Sequence, residues 1–377
     1  MTRPKGAFVA YEGHLGSGKG GVQKCTREFL EVLTAAGLDL DIFPVKPDRR
    51  LATRLGRKLN PSKYWRPIDR NELTKLHAAT GRYDFLFLNQ VSLAGALPSF
   101  DKNGCLPSVI LLSHGCEITD LMHLARLAKT LPLSSRQLGL SSRLALGLTL
   151  YDEFKSRSRV DGVICISPFD ADTEAWLGTR CVTWIPRTTQ SAPLARAPVV
   201  GRFGFVGTLD HAPNLEGLVA VLEELQSAKA DDLSIRIIGG PQRIGKWLAG
   251  AFTNATYLGE LDDEALAQDA QTWEAFLNPI FCLARGCSTK LADPISWRMP
   301  IVTSPMGRRG YSWKAGKLIE AKDPPAFVAA MKRFSDGAFR NSAEQGVREV
   351  AETSLCVKEI GVQIAAFLEE ATTRKIS

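Results

Sequence analysis

Apolar residues along the first half of this chain follow two alternating rhythms. FVAY (8–11), DIFPV (41–45), DFLFLN (84–89), SVILLS (108–113) and GVICIS (162–167) are short, nearly unbroken apolar runs. Such runs suit strands covered on both faces, and therefore a parallel sheet. Between the first two, Val22, Cys25, Phe29, Val32 and Ala36 recur at three- and four-residue spacing and Gly37 supplies a stop. That pattern predicts a helix and, with its flanking strands, a βαβ unit.

Around 186–200 the periodicity lapses into PRTTQSAPLARAP, the composition of an exposed interdomain connection. The alternation then restarts with strands in RFGFVG (202–207), SIRIIGG (234–240), ATYLGE (255–260), WEAFLNP (273–279) and PIVTS (300–304). Helices are expected over 215–227 and from about Thr289. A last helical stretch, roughly 341–371, would bury Val347, Val350, Val357, Ile360, Ile364 and Phe367. The chain thus reads as α/β with two Rossmann-like, doubly wound domains, 1–190 and 200–355. A C-terminal helix, 356–377, is expected to pack back on the first domain.

Composition narrows the class. Hydrophobic residues make up 45% of the 377 and charged ones 23%, ordinary values for a globular protein. No apolar run approaches the ~18 residues of a membrane span, and the N-terminal MTRPKGAFVAY lacks the apolar core and cleavage site of a secretory signal. A cytoplasmic location is expected. The eight cysteines (25, 105, 116, 165, 181, 282, 287, 356) form no Cys-x-x-Cys pair and read as buried thiols rather than zinc ligands or a disulfide framework.

The net charge of +7 acquires meaning from its location. Residues 46–70 hold nine Lys or Arg against two Asp, a surplus equal to that of the whole chain. Leu51, Leu55 and Leu59 repeat every four residues there, with Arg50, Arg54, Arg57 and Lys58 among them and Tyr64 and Trp65 following. An apolar stripe, a cationic face and aromatics predict docking on an anionic membrane surface at the inner face, at ~1 kcal/mol per basic residue. A second basic, leucine-rich segment covers 119–160. No nucleic-acid motif accompanies the charge, so no nucleic-acid partner is expected.

Four segments carry candidate chemistry: Gly20-Gly21-Val22-Gln23 opening the first helix, ISPFDADTEAWLG (166–178), FVGTLDHAPNLEGL (205–218) and GCSTKLADPISWRMPIVTSPMGRRG (286–310). Glycines at a helix start let backbone N–H groups approach an anion, and Lys290 adds a point charge beside hydroxyls able to cap the second helix. In order and spacing these segments resemble the nucleotide-sugar glycosyltransferases of GT-B fold, specifically the retaining family 4 type. The resemblance implies two domains facing across a cleft and transfer of a sugar from a nucleotide-sugar donor to a lipid-linked or glycan acceptor, without metal or other cofactor. It implies donor contacts at Gly20, Gly21, Gly207, Thr208, Asn214, Gly286, Ser288, Thr289, Lys290 and Leu291. Asp293 takes the place of the family's ribose-binding second Glu, and His114 matches a histidine beside the sugar. The family's first Glu falls at Arg285, and its phosphate-binding Arg and Lys fall at Thr208 and Pro213. Pro294 implies that the helix carrying Asp293 is kinked or starts late.

Two other readings stand beside this one. GHLGSGKGG (13–21) approaches a P-loop but has Gly20 where a hydroxyl should hold magnesium, which leaves a nucleotide hydrolase acting through Lys19 as an alternative. A non-catalytic GT-B protein docking on a membrane is the other. Asp39-Leu40-Asp41 and Asp170-Ala171-Asp172 imitate a D-x-D metal site, but turn and N-cap chemistry explains both.

Overall fold

The computed structural model describes residues 3–16, 20–97, 107–130 and 140–376. The first sheet contains β1 (Lys5–Tyr11), β2 (Asp39–Val45), β3 (Phe85–Asn89), β4 (Ser108–Ser113), β5 (Gly162–Cys165) and β6 (Val182–Trp184). All its pairings are parallel, in the order β2-β1-β3-β4-β5-β6. The second contains β7 (Arg202–Val206), β8 (Ser234–Ile238), β9 (Ala255–Gly259), β10 (Ala275–Asn278), β11 (Ile301–Thr303) and β12 (Ile319–Glu320). It is also wholly parallel, in the order β12-β11-β10-β7-β8-β9. The strand order reverses between β1 and β3 and between β7 and β10, which creates one crevice at the carboxyl ends of each sheet.

Burial explains why the apolar runs became strands. Phe8, Phe87, Ile110 and Ile164 face one layer with Phe29, while Val9, Leu86, Leu111 and Val163 face the other with Leu76. The alternation holds across four adjacent strands, so each sheet face is sealed by helices. β2 departs from the expectation of cover on both faces: as the edge strand it leaves Ile42 half exposed.

Two connections differ from the sequence reading. Residues 185–200 contain no regular element, yet they are not a free tether. Backbone bonds run from Ala192 to Ser296, from Leu194 to Trp297 and from Ala197 to Gln271, fastening the segment to the second domain. The last helical stretch is two helices. Gly337–Thr353 packs Val347 and Val350 into the second domain, and Val357–Ile376 packs Ile360, Ile364, Phe367 and Leu368 with Phe29 and Leu33 of the first. The chain breaks because Ser354 returns its hydroxyl to the Val350 carbonyl (2.7 Å), while Glu359 accepts the Cys356 N–H (2.9 Å) and caps a new start.

The helix Leu140–Arg157 is inside out. Its buried face is polar: Thr149, Glu153, Ser156 and Arg157, with Arg157 Nε 2.5 Å from Glu174 Oε2 and Nη1 2.7 Å from the buried Tyr64 hydroxyl. Its outer face presents Leu140, Leu144, Tyr151 and Phe154, and the neighbouring Trp176 is 75% exposed.

Candidate functional site

The loops at the carboxyl ends of the strands build the crevice. In the second domain, Gly207 follows β7 and Gly239-Gly240-Pro241 follows β8. Between them lies a cavity of about 580 Å³ with apolar walls at Val206, Ile238 and Leu266 and with Thr208, Asp210 and Glu260 at its polar edge. The apolar side chains can pack against a planar ring, and the carboxylates can accept hydrogen bonds from hydroxyl or amino groups.

Two cations stand nearby. Lys290 Nζ donates to Asn214 Oδ1 at 2.5 Å, lies 5.0 Å from the centre of the Phe205 ring and comes 3.4 Å from where a Cβ on Gly207 would sit. Asn214 is itself held by donating to the Thr208 carbonyl at 2.8 Å. Arg309 is buried and donates to the carbonyls of Met306 (3.0 Å) and Arg285 (3.1 Å), with its Nε left unbonded. Among the described residues neither cation forms an ion pair with a carboxylate. Burial, followed by the charge of Arg309, pulls the Lys290 ammonium down to about 7. Burial likewise lowers Arg309, partly opposed by Asp170. His211, at the start of the Ala212–Ser227 helix, falls to about 3 through burial and then through His123, Lys290 and Arg309. Buried cations without a paired carboxylate favour a bound anion.

The facing wall belongs to the first domain. Gly20 opens the helix Gly21–Ala35 without a side-chain cap, and the Thr289 side chain lies 3.5 Å from where a Gly21 Cβ would be. The two glycine-rich segments therefore meet. Beyond them, the Thr26 hydroxyl donates to the Val22 carbonyl (2.8 Å), so it can only accept from the Asn89 amide (2.9 Å). The Asn89 oxygen is then directed at His114 Nε2, 2.9 Å away, which assigns the imidazole proton to that nitrogen. Burial, and then the charge of Arg285, hold His114 down to about 3. Both effects favour the neutral imidazole.

The domains touch tightly beside it. Gly115 (φ +91°) would place a Cβ 2.4 Å from the Arg285 Cβ and 3.0 Å from the Gly286 nitrogen. The Gly286 N–H donates to Asp170 Oδ2 (2.9 Å), and Arg285 crosses the cleft to Asp120 (2.5 Å) and Glu117 (3.8 Å). Arg285 is thus an interdomain clamp.

Several expected features take other forms. The second helix start is a 3₁₀ turn, Thr289–Leu291, followed by the five-residue helix Ala292–Ser296, so Pro294 marks a late and short helix. Ser288 and Thr289 do not cap it: Ser288 Oγ accepts from Asn278 Nδ2 (3.1 Å). Asp293 is exposed on the first turn of that short helix and does not line the cavity. Leu291 is fully buried and acts as an anchor. Tyr64 is buried and Trp65 covers Gly56, so neither projects freely beside Leu51, Leu55 and Leu59; those leucines are exposed, and Arg50 pairs with Asp48. Gly13 lies inside the short helix Glu12–Leu15, whereas Lys19 lies outside the described residues. Asp41 accepts from the Tyr83 hydroxyl (2.6 Å) and Asp170 points inward. Among the described residues no three His, Cys, Asp or Glu side chains gather as metal ligands. Asp210, Glu260 and Arg309 are not singled out from sequence; Asp210 lies within FVGTLDHAPNLEGL and Arg309 is the last basic residue of SPMGRRG, whereas Glu260 has no such signal.

Residues 201–336 match the family model described as "Glycosyl transferases group 1". No curated protein matches the chain in sequence. Among solved structures, sucrose-phosphate synthase from Thermosynechococcus elongatus superposes with a TM-score of 0.61 at 17% identity, covering 99% of this chain and 100% of that one. HepE from Anabaena, solved in complex with UDP and glucose, superposes with a TM-score of 0.59 at 11% identity, covering 97% and 99%. The chain has the GT-B fold and carries a glycosyl transferase domain in its second half, which makes it a glycosyltransferase-type enzyme. Among the described residues no helix is long and apolar enough to cross a membrane.

Proposed function

We propose that the chain moves a sugar from a nucleoside diphosphate sugar to a lipid-linked or glycan acceptor, with retention and without metal. The observation that carries the donor assignment is the pair of cations, Lys290 and Arg309, that lack a carboxylate partner beside the second-domain cavity. A diphosphate supplies the missing charge, and its nucleoside then occupies the apolar cavity with Thr208, Asp210 and Glu260 at the hydroxyls or base edge. Gly20, Gly21 and Thr289 close on the phosphates from across the cleft, and Gly207, Gly286, Ser288 and Leu291 shape the backbone around them. Asp293 is kept as the ribose residue of the closed complex. Neutral His114 serves as a hydrogen-bond partner to the sugar, since it carries no charge to donate as an imidazolium. The departing diphosphate, held by Lys290 and Arg309, accepts the proton of the incoming hydroxyl.

Titration calorimetry with UDP, GDP and ADP in the presence of a chelator tests this. At least one is expected to bind. Lys290 sits near 7 when unliganded, and a bound diphosphate favours its charged form. Binding above neutral pH must therefore take up a proton, and affinity should fall by up to about tenfold per pH unit as pH rises past 7. No binding of any nucleotide, or heats unaffected by the ionisation enthalpy of the buffer, rejects the reading.

The acceptor side of the proposal includes a membrane surface. The exposed Leu51, Leu55 and Leu59 lie among Arg54, Arg57 and Lys58, and the inside-out helix Leu140–Arg157 adds Tyr151, Phe154 and the neighbouring Trp176. Segment 60–65 joins the two helices, with Ser62 Oγ 2.5 Å from Asp152. Apolar residues turned outward among cations suit an anionic bilayer. Binding to phosphatidylglycerol vesicles should be salt-sensitive and should fall when Arg54, Arg57 and Lys58 become Glu. It should fall further with Phe154→Ser and Trp176→Ser. Vesicle binding unchanged in all of these variants excludes docking through this face.

A further inference from the structure

Two thiols from opposite domains meet beside the candidate site. Cys25 lies on the first-domain helix Gly21–Ala35, and Cys287 lies between Gly286 and Ser288 in the second domain. Their sulfurs are 3.7 Å apart. Arg187, in the segment joining the domains, points Nη1 at both, 3.7 Å from Cys25 Sγ and 3.8 Å from Cys287 Sγ, and bonds Glu28 at 3.1 Å. Its backbone N–H donates to the Gly310 carbonyl at 2.8 Å, which fixes the guanidinium relative to the Cys287 loop. Cys25 is buried and Cys287 is half-buried, while Cys282 is also half-buried and Cys356 exposed, so, contrary to the sequence expectation, the thiols are not all interior.

We propose that Cys25 and Cys287 are a redox modification site at which a peroxide forges an interdomain disulfide that locks the cleft shut. The site lies beyond the transfer chemistry and does not depend on it. Cys287, the less buried of the two, is the attacking thiol: the hydrogen bond between the pair and the Arg187 charge favour its thiolate, while Cys25 is pushed up. By contrast, burial raises Cys116 and Cys165, each also beside carboxylates. The Cys287 thiolate attacks one peroxide oxygen, the O–O bond breaks, and hydroxide leaves with its electron pair to become water on protonation. The Cys25 sulfur, after losing its proton, then attacks the sulfenic sulfur; the S–S bond forms and the second oxygen leaves as water. Two thiols are oxidised, one peroxide is reduced, and two waters result.

The bond joins the first helix of one domain to the donor loop of the other, so a nucleotide can no longer enter by domain separation. Full-length protein is treated with hydrogen peroxide, digested without reductant and mapped by mass spectrometry. The expected result is a Cys25–Cys287 linked peptide, with nucleotide association slowed at least about tenfold and restored by dithiothreitol. Cys25→Ser should bind nucleotide like wild type before peroxide and keep binding it afterwards. A map in which Cys287 becomes sulfinic acid without a linked peptide overturns the proposal. So does a Cys25→Ser protein inactivated as fast as wild type. The linked peptide is read independently of any nucleotide, so failure of the donor assignment would leave this result intact.

Discussion

Lys290→Ala combined with Arg309→Ala should abolish the binding of a nucleoside diphosphate. Hydrogen bonds to charged groups are worth roughly 1.5–3 kcal/mol each, so each truncation should weaken binding about 10- to 100-fold. The two should approach additivity only if they contact different phosphate oxygens; a double-mutant cycle on nucleotide affinity measures the coupling. Arg309 also donates to the Arg285 and Met306 carbonyls, so its alanine variant can fail for structural reasons. Arg309→Lys keeps the charge and separates the cases. If the lysine variant binds near wild type while alanine does not, charge is the requirement. If the double alanine variant binds a nucleoside diphosphate as tightly as wild type, the cations are not the phosphate site.

Gly115→Ala is expected to produce the other large loss, in transfer rather than in nucleotide binding. A methyl group here must overcome a positive φ, at about 1–3 kcal/mol, and drive back Arg285 and the Gly286 backbone from the opposite domain. The second domain should still bind nucleotide, because its cavity and cations lie within residues 206–309. The two walls would be misplaced by a fraction of an ångström to an ångström, enough to cost about 10²-fold in kcat. Gly147→Ala is the control: nothing lies within 4 Å of its added methyl, in a helix interior where alanine gains about 0.5–1 kcal/mol. Equal kcat for the Gly115 and Gly147 variants would place the catalytic geometry elsewhere.

The strands were legible because their burial is local information. Each apolar run that became β1, β3, β4 or β5 carries both of its buried faces in its own residues. The fate of 341–371 was not legible in the same way. Its apolar positions keep one helical rhythm through a break made by two short hydrogen bonds, at Ser354 and Glu359. The site divided along a similar line. Lys290, Thr289 and Gly21 sit in compact motifs, and the structure brings them into one cleft. Arg309 closes the same segment as Lys290, but Glu260 reaches the site through a loop outside those motifs, and only the folded chain places it. The polar interior of Leu140–Arg157 depends on Glu174 and Tyr64, 17 and 93 residues from Arg157 in sequence. No window around the helix could have revealed that its leucines face outward.

The helix Val357–Ile376 has a consequence for how the chain must be made. Strands β1 to β6 of the first domain are made before the second domain, but Ile360, Ile364 and Phe367 of its apolar layer leave the ribosome only after the second domain has been made. The second domain, contiguous from β7 to Thr353, can complete its own core first, while Phe29 and Leu33 still lack their cover. Assembly order is therefore the reverse of synthesis order. Translation halted between Thr353 and Val357 would leave a finished second domain attached to a first domain with an open flank, and that flank is where proteolysis and aggregation of the nascent chain should begin.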